Sequence, residues 1–308
     1  MSFFRYQEDR IPTLCIVALF LLDIAVFLTV DSIPLLVLWL LLVTTPKIGI
    51  CSWNHHHQHL HTFHQGWLNR LLEVVYTFHT GITSNAWVLH HVLGHHVNYL
   101  DQTKDESAWK RPSGKKMGEV EYTLTIAATG YLRAFMVGLR HKRYLTAFFG
   151  VGTFVLVCVS LMVYYRPIPA TFVFLIPMLG GYIVTCWHTY CHHAGLDTDD
   201  HFQASHNIMH RWYNIFTGNL GFHTAHHVKP GLHWSKLPEF HASIAHKIPP
   251  HLYIEPCIPF RWLPSGDVFP VPSAEPTKLS EDKIPNDAGA PTPQNFGVGK
   301  GEAELVSH

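Results

Sequence analysis

Two long apolar runs open the chain, residues 11–30 and 35–51, separated only by Asp31, Ser32, Ile33 and Pro34. A membrane-spanning helix needs about 20 predominantly apolar residues (range about 17–25), so both runs are long enough to span and the short break predicts an antiparallel hairpin. Asp23 interrupts the first run, and a charge at that depth is expected to face protein or water. Pro46 and Lys47 interrupt the second run near its end. A further pair, 148–165 and 171–187, is turned by Arg166, Pro167, Ile168 and Pro169. Within its second member, Pro177 and the Gly180–Gly181 pair predict a kink and a close approach of a neighbour. Between the pairs the pattern changes to a helical period: Trp67, Leu68, Leu71, Leu72, Val75 and Phe78 predict an amphipathic helix packed on the membrane surface or on the rest of the polar region. Residues 122–139 are apolar but carry Arg133, with Arg140 following, which predicts an interfacial or re-entrant helix and not a fifth span. The expected fold is an all-α integral membrane protein, with four transmembrane helices in two hairpins and a helical cap from 52–146 and 188–263. Beyond 264 the chain is rich in proline, glycine and acidic residues, and 264–308 is expected to be a disordered tail outside the 1–263 domain.

Composition supports the membrane reading. Of 308 residues, 14% are charged and 47% hydrophobic, and the formal net charge is zero, which argues against a nucleic-acid partner. The apolar run at 11–30 is too long for a cleavable signal and is not closed by a small-residue cleavage site. Arg140, Lys142 and Arg143 precede the third span, so the positive-inside rule places the polar loops, both termini and the histidine clusters on the cytoplasmic side of a multi-pass protein. The six cysteines are scattered without a Cys-x-x-Cys pair and read as small buried residues.

One residue type stands out. The 26 histidines outnumber the 22 lysines and arginines together, and they gather beyond the ends of the spans. His90, His91, His95 and His96 fall within seven positions; on an α-helix His91, His95 and His96 would converge on one point, as neutral imidazoles do on iron, copper, nickel or zinc. Earlier, His55 to His64 contains two overlapping His-x-x-x-His registers, His55 with His59 and His57 with His61. Both place two imidazoles on one helical face, with the first register preferred. His223, His226 and His227 offer a third convergent turn, and His193 follows the fourth span. Two, three, one and three candidate ligands are too many for one ion and suit two. His188, His192, His206 and His210 share the same spacing but are surplus to that count and are expected to make local hydrogen bonds. Acids near the clusters, Asp101, Asp105, Asp197, Asp199 and Asp200, are candidates to accept the second ring N–H of a ligand histidine.

These clusters resemble the membrane-bound fatty acid desaturases and hydroxylases, which carry three histidine boxes around a di-iron centre. The resemblance covers roughly residues 35–246. His91, Gly94, His95 and His96 are similar to the second box of membrane alkane hydroxylases, and Tyr190 to Leu196 resembles their extra ligand segment, with His193 at the ligand position. His223, His226 and His227 match the third box. The continuation through Lys229 and Ser235 also resembles the desaturase-like decarboxylases that form terminal alkenes. The resemblance implies two iron ions as the catalytic centre, O₂ as co-substrate, and a fatty acid or fatty acyl chain drawn from the lipid bilayer.

No nucleotide-binding glycine loop, haem motif or iron–sulfur motif is apparent, so electrons are expected from a separate donor such as a ferredoxin and its reductase. The basic residues over 104–116, with Arg140 to Arg143, offer a docking surface. After the first hydrogen is removed, the outcomes are desaturation, decarboxylation to a 1-alkene, or hydroxylation. A free-acid substrate would need a cation near the metals, for which Arg211 and Lys229 are candidates, with Asp197 and Asn219 as further substrate-facing or supporting residues. A histidine-rich metal transporter or sensor is the alternative from a different class, but transporters place their ligands near mid-membrane, within the spans.

Overall fold

The computed structural model describes residues 2–264; the expected disordered tail lies outside the described residues except for Pro264. Among the described residues, all regular elements are helical, with only isolated bridges besides. They form two compact units. The first comprises the chain up to Gly94 together with Gly118–His188, and the second comprises His95–Met117 and the described residues from Thr189 onward.

The first unit holds α1 (Arg10–Thr29), α2 (Ile33–His59), α3 (Gly66–Thr80), α4 (Ser84–Trp87) and most of a π-helix, Val88–His95. After these come α5 (Glu119–Gly138), α6 (Lys142–Tyr165), α7 (Pro167–Ala170), a second π-helix, Thr171–Leu175, and α8 (Ile176–His193) as far as His188. Four segments are long and apolar enough to cross a membrane: Gln7–Thr29, Ile33–His59, Lys142–Tyr165 and Pro167–His193. α5, although of comparable length, is not among them. On the first three, Leu14, Leu21, Leu28, Leu38, Leu41 and Leu161 are each more than half exposed, which suits hydrocarbon and would be an aggregation surface in water. The inner faces close around Phe27, Leu36, Phe78, Val155, Val173 and Phe174.

Three local features depart from the sequence pattern. α2 does not stop near residue 51; it runs through Pro46 to His59, so the first histidine cluster stands on the spanning helix itself. The irregularity expected around Pro177 takes the form of the π-helix Thr171–Leu175 immediately before α8. Pro177 has no N–H for the carbonyl of Val173 four residues back, and that carbonyl instead accepts from Lys47 Nζ at 2.9 Å. In α3 the apolar stripe is only partly turned inward: Leu72 and Phe78 are buried and Trp67 and Leu71 are exposed, whereas the polar Asn69, Glu73, Thr77 and Thr80 are buried. Polarity is turned inward because that side meets the histidine-bearing end of α2, with His57 facing Glu73 and Asn54 donating to Thr80 Oγ1 at 3.3 Å.

Close backbone approach holds this unit together. Gly81 ends α3 with φ of 69°, and a Cβ there would collide with the carbonyl of Met178. A Cβ on Gly181 would lie 3.1 Å from the backbone of Thr80. Asp23 and Lys47 are both fully enclosed, and Lys47 Nζ meets Asp23 Oδ2 at 2.9 Å.

The second unit contains α9 (Arg211–Thr217), α10 (His223–Val228) and α11 (Leu237–Ile244) around a core of Met209, Phe222, Ala225, Leu237, Ile244 and Leu252. The start of α10 is pinned by its neighbours. Gly221 N donates to Asn214 Oδ1 at 3.1 Å and its carbonyl accepts from Ile208 N at 2.9 Å. A side chain at Gly221 would collide with the Ile208 carbonyl.

Candidate metal centre

In the second unit, four imidazoles turn their Nε2 atoms inward. His193 Nε2 lies 3.3 Å from His95 Nε2 and 3.0 Å from His223 Nε2, and His227 Nε2 lies 3.2 Å from His223 Nε2. The outer nitrogens explain the orientation. His95 Nδ1 is 2.8 Å from Asp105 Oδ1, and His193 Nδ1 is 2.9 Å from the Ala204 carbonyl. A carboxylate and a carbonyl only accept, so both rings carry their proton on Nδ1 and present an Nε2 lone pair to the centre. Two lone pairs 3.3 Å apart repel unless a cation lies beside them. Two nitrogens bound at right angles to one first-row ion at about 2.0–2.1 Å would stand about 3 Å apart, which agrees with the spacing observed. His95, His193 and His227 form a compact metal-holding group on this criterion, and His223 lies against two of them. His223 is fully enclosed, its Nδ1 has no hydrogen-bond partner, and burial followed by the neighbouring imidazoles holds its pKa well below the usual histidine value. It is therefore neutral and able to ligate. His96 and His226 form a pair in the same unit, with Nε2 atoms 3.1 Å apart.

In the first unit, His55, His59 and His91 make a second group. His91 Nε2 is 3.0 Å from His55 Nε2, and the ring centroids of His55 and His59 are 4.8 Å apart. Trp87 stacks on His55 at 5.5 Å. His57 and His61 do not join them. They face Glu73 instead, their Nε2 atoms 3.9 and 3.8 Å from Glu73 Oε1.

The expectation that His91, His95 and His96 converge on one point is corrected for His95, which groups with His193 and His227, whereas His91 and His96 fall in one candidate group. Residues 88–95 form a π-helix, and such turns are concentrated at functional sites. His91 turns to His55, His95 to His193, and His96 to His226. The third box divides in the same way, with His223 and His227 together and His226 towards His96.

The surplus histidines make local bonds. His192 has one nitrogen 3.2 Å from the His206 carbonyl and the other 3.2 Å from Tyr213 Oη, while His206 and His210 donate to the carbonyls of Cys191 and Leu263. The residues expected to face substrate make the following contacts. Asp197 pairs with Lys110 at the surface, Arg211 lies over the Trp212 ring at 5.8 Å, and Lys229 lies over Phe240 at 4.6 Å. Asn219 adopts φ of 63° and donates to the Trp234 carbonyl at 3.2 Å, so it turns the chain into α10. Of the basic docking set, Lys104 is paired with Asp101.

Among the acids near the boxes, the structure selects Asp105. Sequence reasoning missed Glu73; the available signal was a lone acid within the otherwise apolar run from Leu71 to Val75. Burial opposes ionisation of Glu73, but the neighbouring His57 and Arg70 outweigh it and leave the carboxyl below its ordinary pKa. Removing the acceptor from His95 is expected to weaken metal retention: Asp105→Ala should lower iron affinity by about 10–100-fold, measured by competition with a chelator at fixed free iron.

The family model described as fatty acid desaturase matches residues 31–256. No curated protein and no solved structure matches the chain.

Proposed function

The chain belongs to the fatty acid desaturase family, and on that premise we propose that it is an O₂-dependent di-iron membrane oxidase acting on fatty acids or fatty acyl chains. The observation that carries this reading is the inward convergence of His95, His193, His223 and His227, with Nδ1 of His95 and His193 committed to Asp105 and Ala204. An imidazole-only inner set suits iron, and it differs from the glutamate-rich sets of soluble four-helix di-iron proteins. One ion is assigned to His95, His193, His223 and His227 of the second unit and the other to His55, His59 and His91 of the first.

Bound there, the two irons supply O₂ reduction and removal of hydrogen from an unactivated C–H bond. The protein's own residues do the rest. Asp105 and the Ala204 carbonyl hold the ring protons on Nδ1 and fix each ring plane. The near-complete burial of His95, His96, His226 and His227 keeps water from the oxidant. Exposed leucines on the spanning helices keep the protein in the bilayer from which an acyl chain enters. In desaturation the substrate gives up two hydrogens, a separate donor gives two electrons, and two protons enter, so that O₂ leaves as two waters. The four spans are proposed as two hairpins with the termini and histidines on the cytoplasmic side, supported by Arg140, Lys142 and Arg143 ahead of α6. Exposed Lys115 and Lys116 offer basic side chains for an acidic donor to meet.

The test is product analysis. The iron-loaded protein in lipid is supplied with a ferredoxin, its reductase, NADPH, O₂ and lauric acid. An internal alkene formed with O₂ consumption is the expected product. A 1-alkene one carbon shorter would assign decarboxylation, and an alcohol would assign hydroxylation, both within the same oxidase class. One zinc per chain with no O₂ uptake would overturn the oxidase in favour of metal transport or sensing.

A further inference from the structure

The two His-x-x-x-His registers of the first cluster do not compete for one ion. On an α-helix each residue turns about 100°, so His55 and His57 point to nearly opposite sides of α2. His55 and His59 meet His91. His57, at the last turn of α2, and His61, just beyond it, meet Glu73 on α3, all within the first unit. We infer that His57, His61 and Glu73 form a separate site for a divalent first-row transition ion of the zinc or iron(II) class, held by two imidazole nitrogens and one carboxylate oxygen.

Three observations carry the site. His57 Nε2 and Glu73 Oε1 are both buried without a hydrogen-bond partner, and they face each other at 3.9 Å. That separation is too long for a hydrogen bond, yet short enough for an ion with ligand bonds of about 2.0–2.2 Å to reach both. The remaining atoms of the two side chains are already committed in the orientation a ligand needs. Arg70 Nη1 holds Glu73 Oε2 at 2.6 Å, leaving Oε1 turned inward. Thr62 anchors His57 Nδ1, its N donating at 3.4 Å and its Oγ1 lying 2.9 Å away, so Nε2 is aimed at Glu73; when Nε2 binds an ion the ring proton moves to Nδ1, where Thr62 Oγ1 accepts it. His61 completes the set: its Nε2 is 3.8 Å from the same carboxylate oxygen, and its side chain is 40% exposed. The exposed ring opens the site to ions from solvent and can swing to close the last few tenths of an ångström. Two histidines and one carboxylate leave coordination positions for water, the pattern of open zinc sites and of non-haem iron(II) sites. An ion here would fasten the end of α2 to the middle of α3.

The experiment uses the full chain in lipid, loaded with two equivalents of iron per chain and then titrated with Co²⁺, whose d–d absorption reports nitrogen and oxygen coordination. One equivalent of Co²⁺ should bind beyond the iron already present. Zn²⁺ and Fe²⁺, added separately as competitors, identify which of the two displaces it more readily. Glu73→Gln, which keeps the side-chain shape and a partner for Arg70, should weaken Co²⁺ binding at least tenfold while iron content and turnover stay at the wild-type level. His61→Ala, at the exposed position, should weaken Co²⁺ binding to the same extent. The inference is overturned if the wild-type chain takes up no metal beyond its iron, if the variants bind Co²⁺ as the wild type does, or if His61→Ala loses iron. The last result would place this register in the oxidase centre itself.

Discussion

Replacing His193 by alanine should abolish turnover and empty the second unit's iron position, whereas His192→Ala should keep the iron. The two residues are adjacent on the same helix and differ in what their nitrogens meet. His193 spends Nδ1 on the Ala204 carbonyl and brings Nε2 within 3.0 Å of His223 Nε2 and 3.3 Å of His95 Nε2. His192 has both nitrogens within hydrogen-bond reach of protein oxygens, the His206 carbonyl and Tyr213 Oη. Loss of a residue that merely supports a ligand reduces metal affinity or activity by about 10–100-fold, so loss of the ligand is expected to reduce turnover at least about 100-fold. Iron per chain, measured on the purified variants beside O₂ uptake, checks both halves. Retention of full iron by His193→Ala would remove this residue from the centre. Loss of iron by His192→Ala without loss of folding would add a ligand.

Lys47→Met should destabilise the first unit by about 3–5 kcal/mol, the magnitude for removing one partner of a buried ion pair. Asp23 would be left enclosed with only Trp39 Nε1 donating to it, at 3.0 Å from Oδ1. His79 cannot take over: its Nδ1 lies 3.5 Å from Asp23 Oδ2, and burial, then Lys47, pushes its pKa down to about 3, so the ring stays neutral. The Val173 carbonyl would also lose the Lys47 ammonium that stands in for the N–H missing at Pro177. Asp23→Leu combined with Lys47→Met removes the uncompensated charge and is expected to recover much of the loss. Thermal unfolding in lipid of the two single variants and the double variant forms a thermodynamic cycle. Additive losses would show that the pair is not coupled.

How much of this was legible in the sequence depended on the range of the interaction. The apolar runs were readable because a spanning helix declares itself locally: every residue in it answers to the same solvent, and four such segments stand where the runs predicted them. Their inner ends were not, because α2 continues to His59 on helix propensity and packing that the change from apolar to polar residues conceals. The amphipathic period of α3 predicted a helix but not which side faces inward. In a soluble domain Leu71 and Trp67 would be buried with Leu72 and Phe78; beside a membrane and a polar histidine cluster they are exposed, and Asn69 and Glu73 are buried. Asp105 could be named only as one of several nearby acids, since sequence distance does not say which carboxylate reaches His95.

The chain's sequence by itself determined that this is an all-helical protein with four apolar segments, that it belongs with the desaturases, and that imidazole is its available metal-binding group. These are properties of composition, local period and short motifs. Only the tertiary structure decided how the histidines are shared out: His55 with His91 and not with His57, His95 with His193 and not with His91, His61 with Glu73. Ligand spacing along a chain is a one-dimensional pattern, and a metal centre is assembled from atoms on different helices. The 100° step of α2 redirects rings that the one-dimensional pattern had placed together.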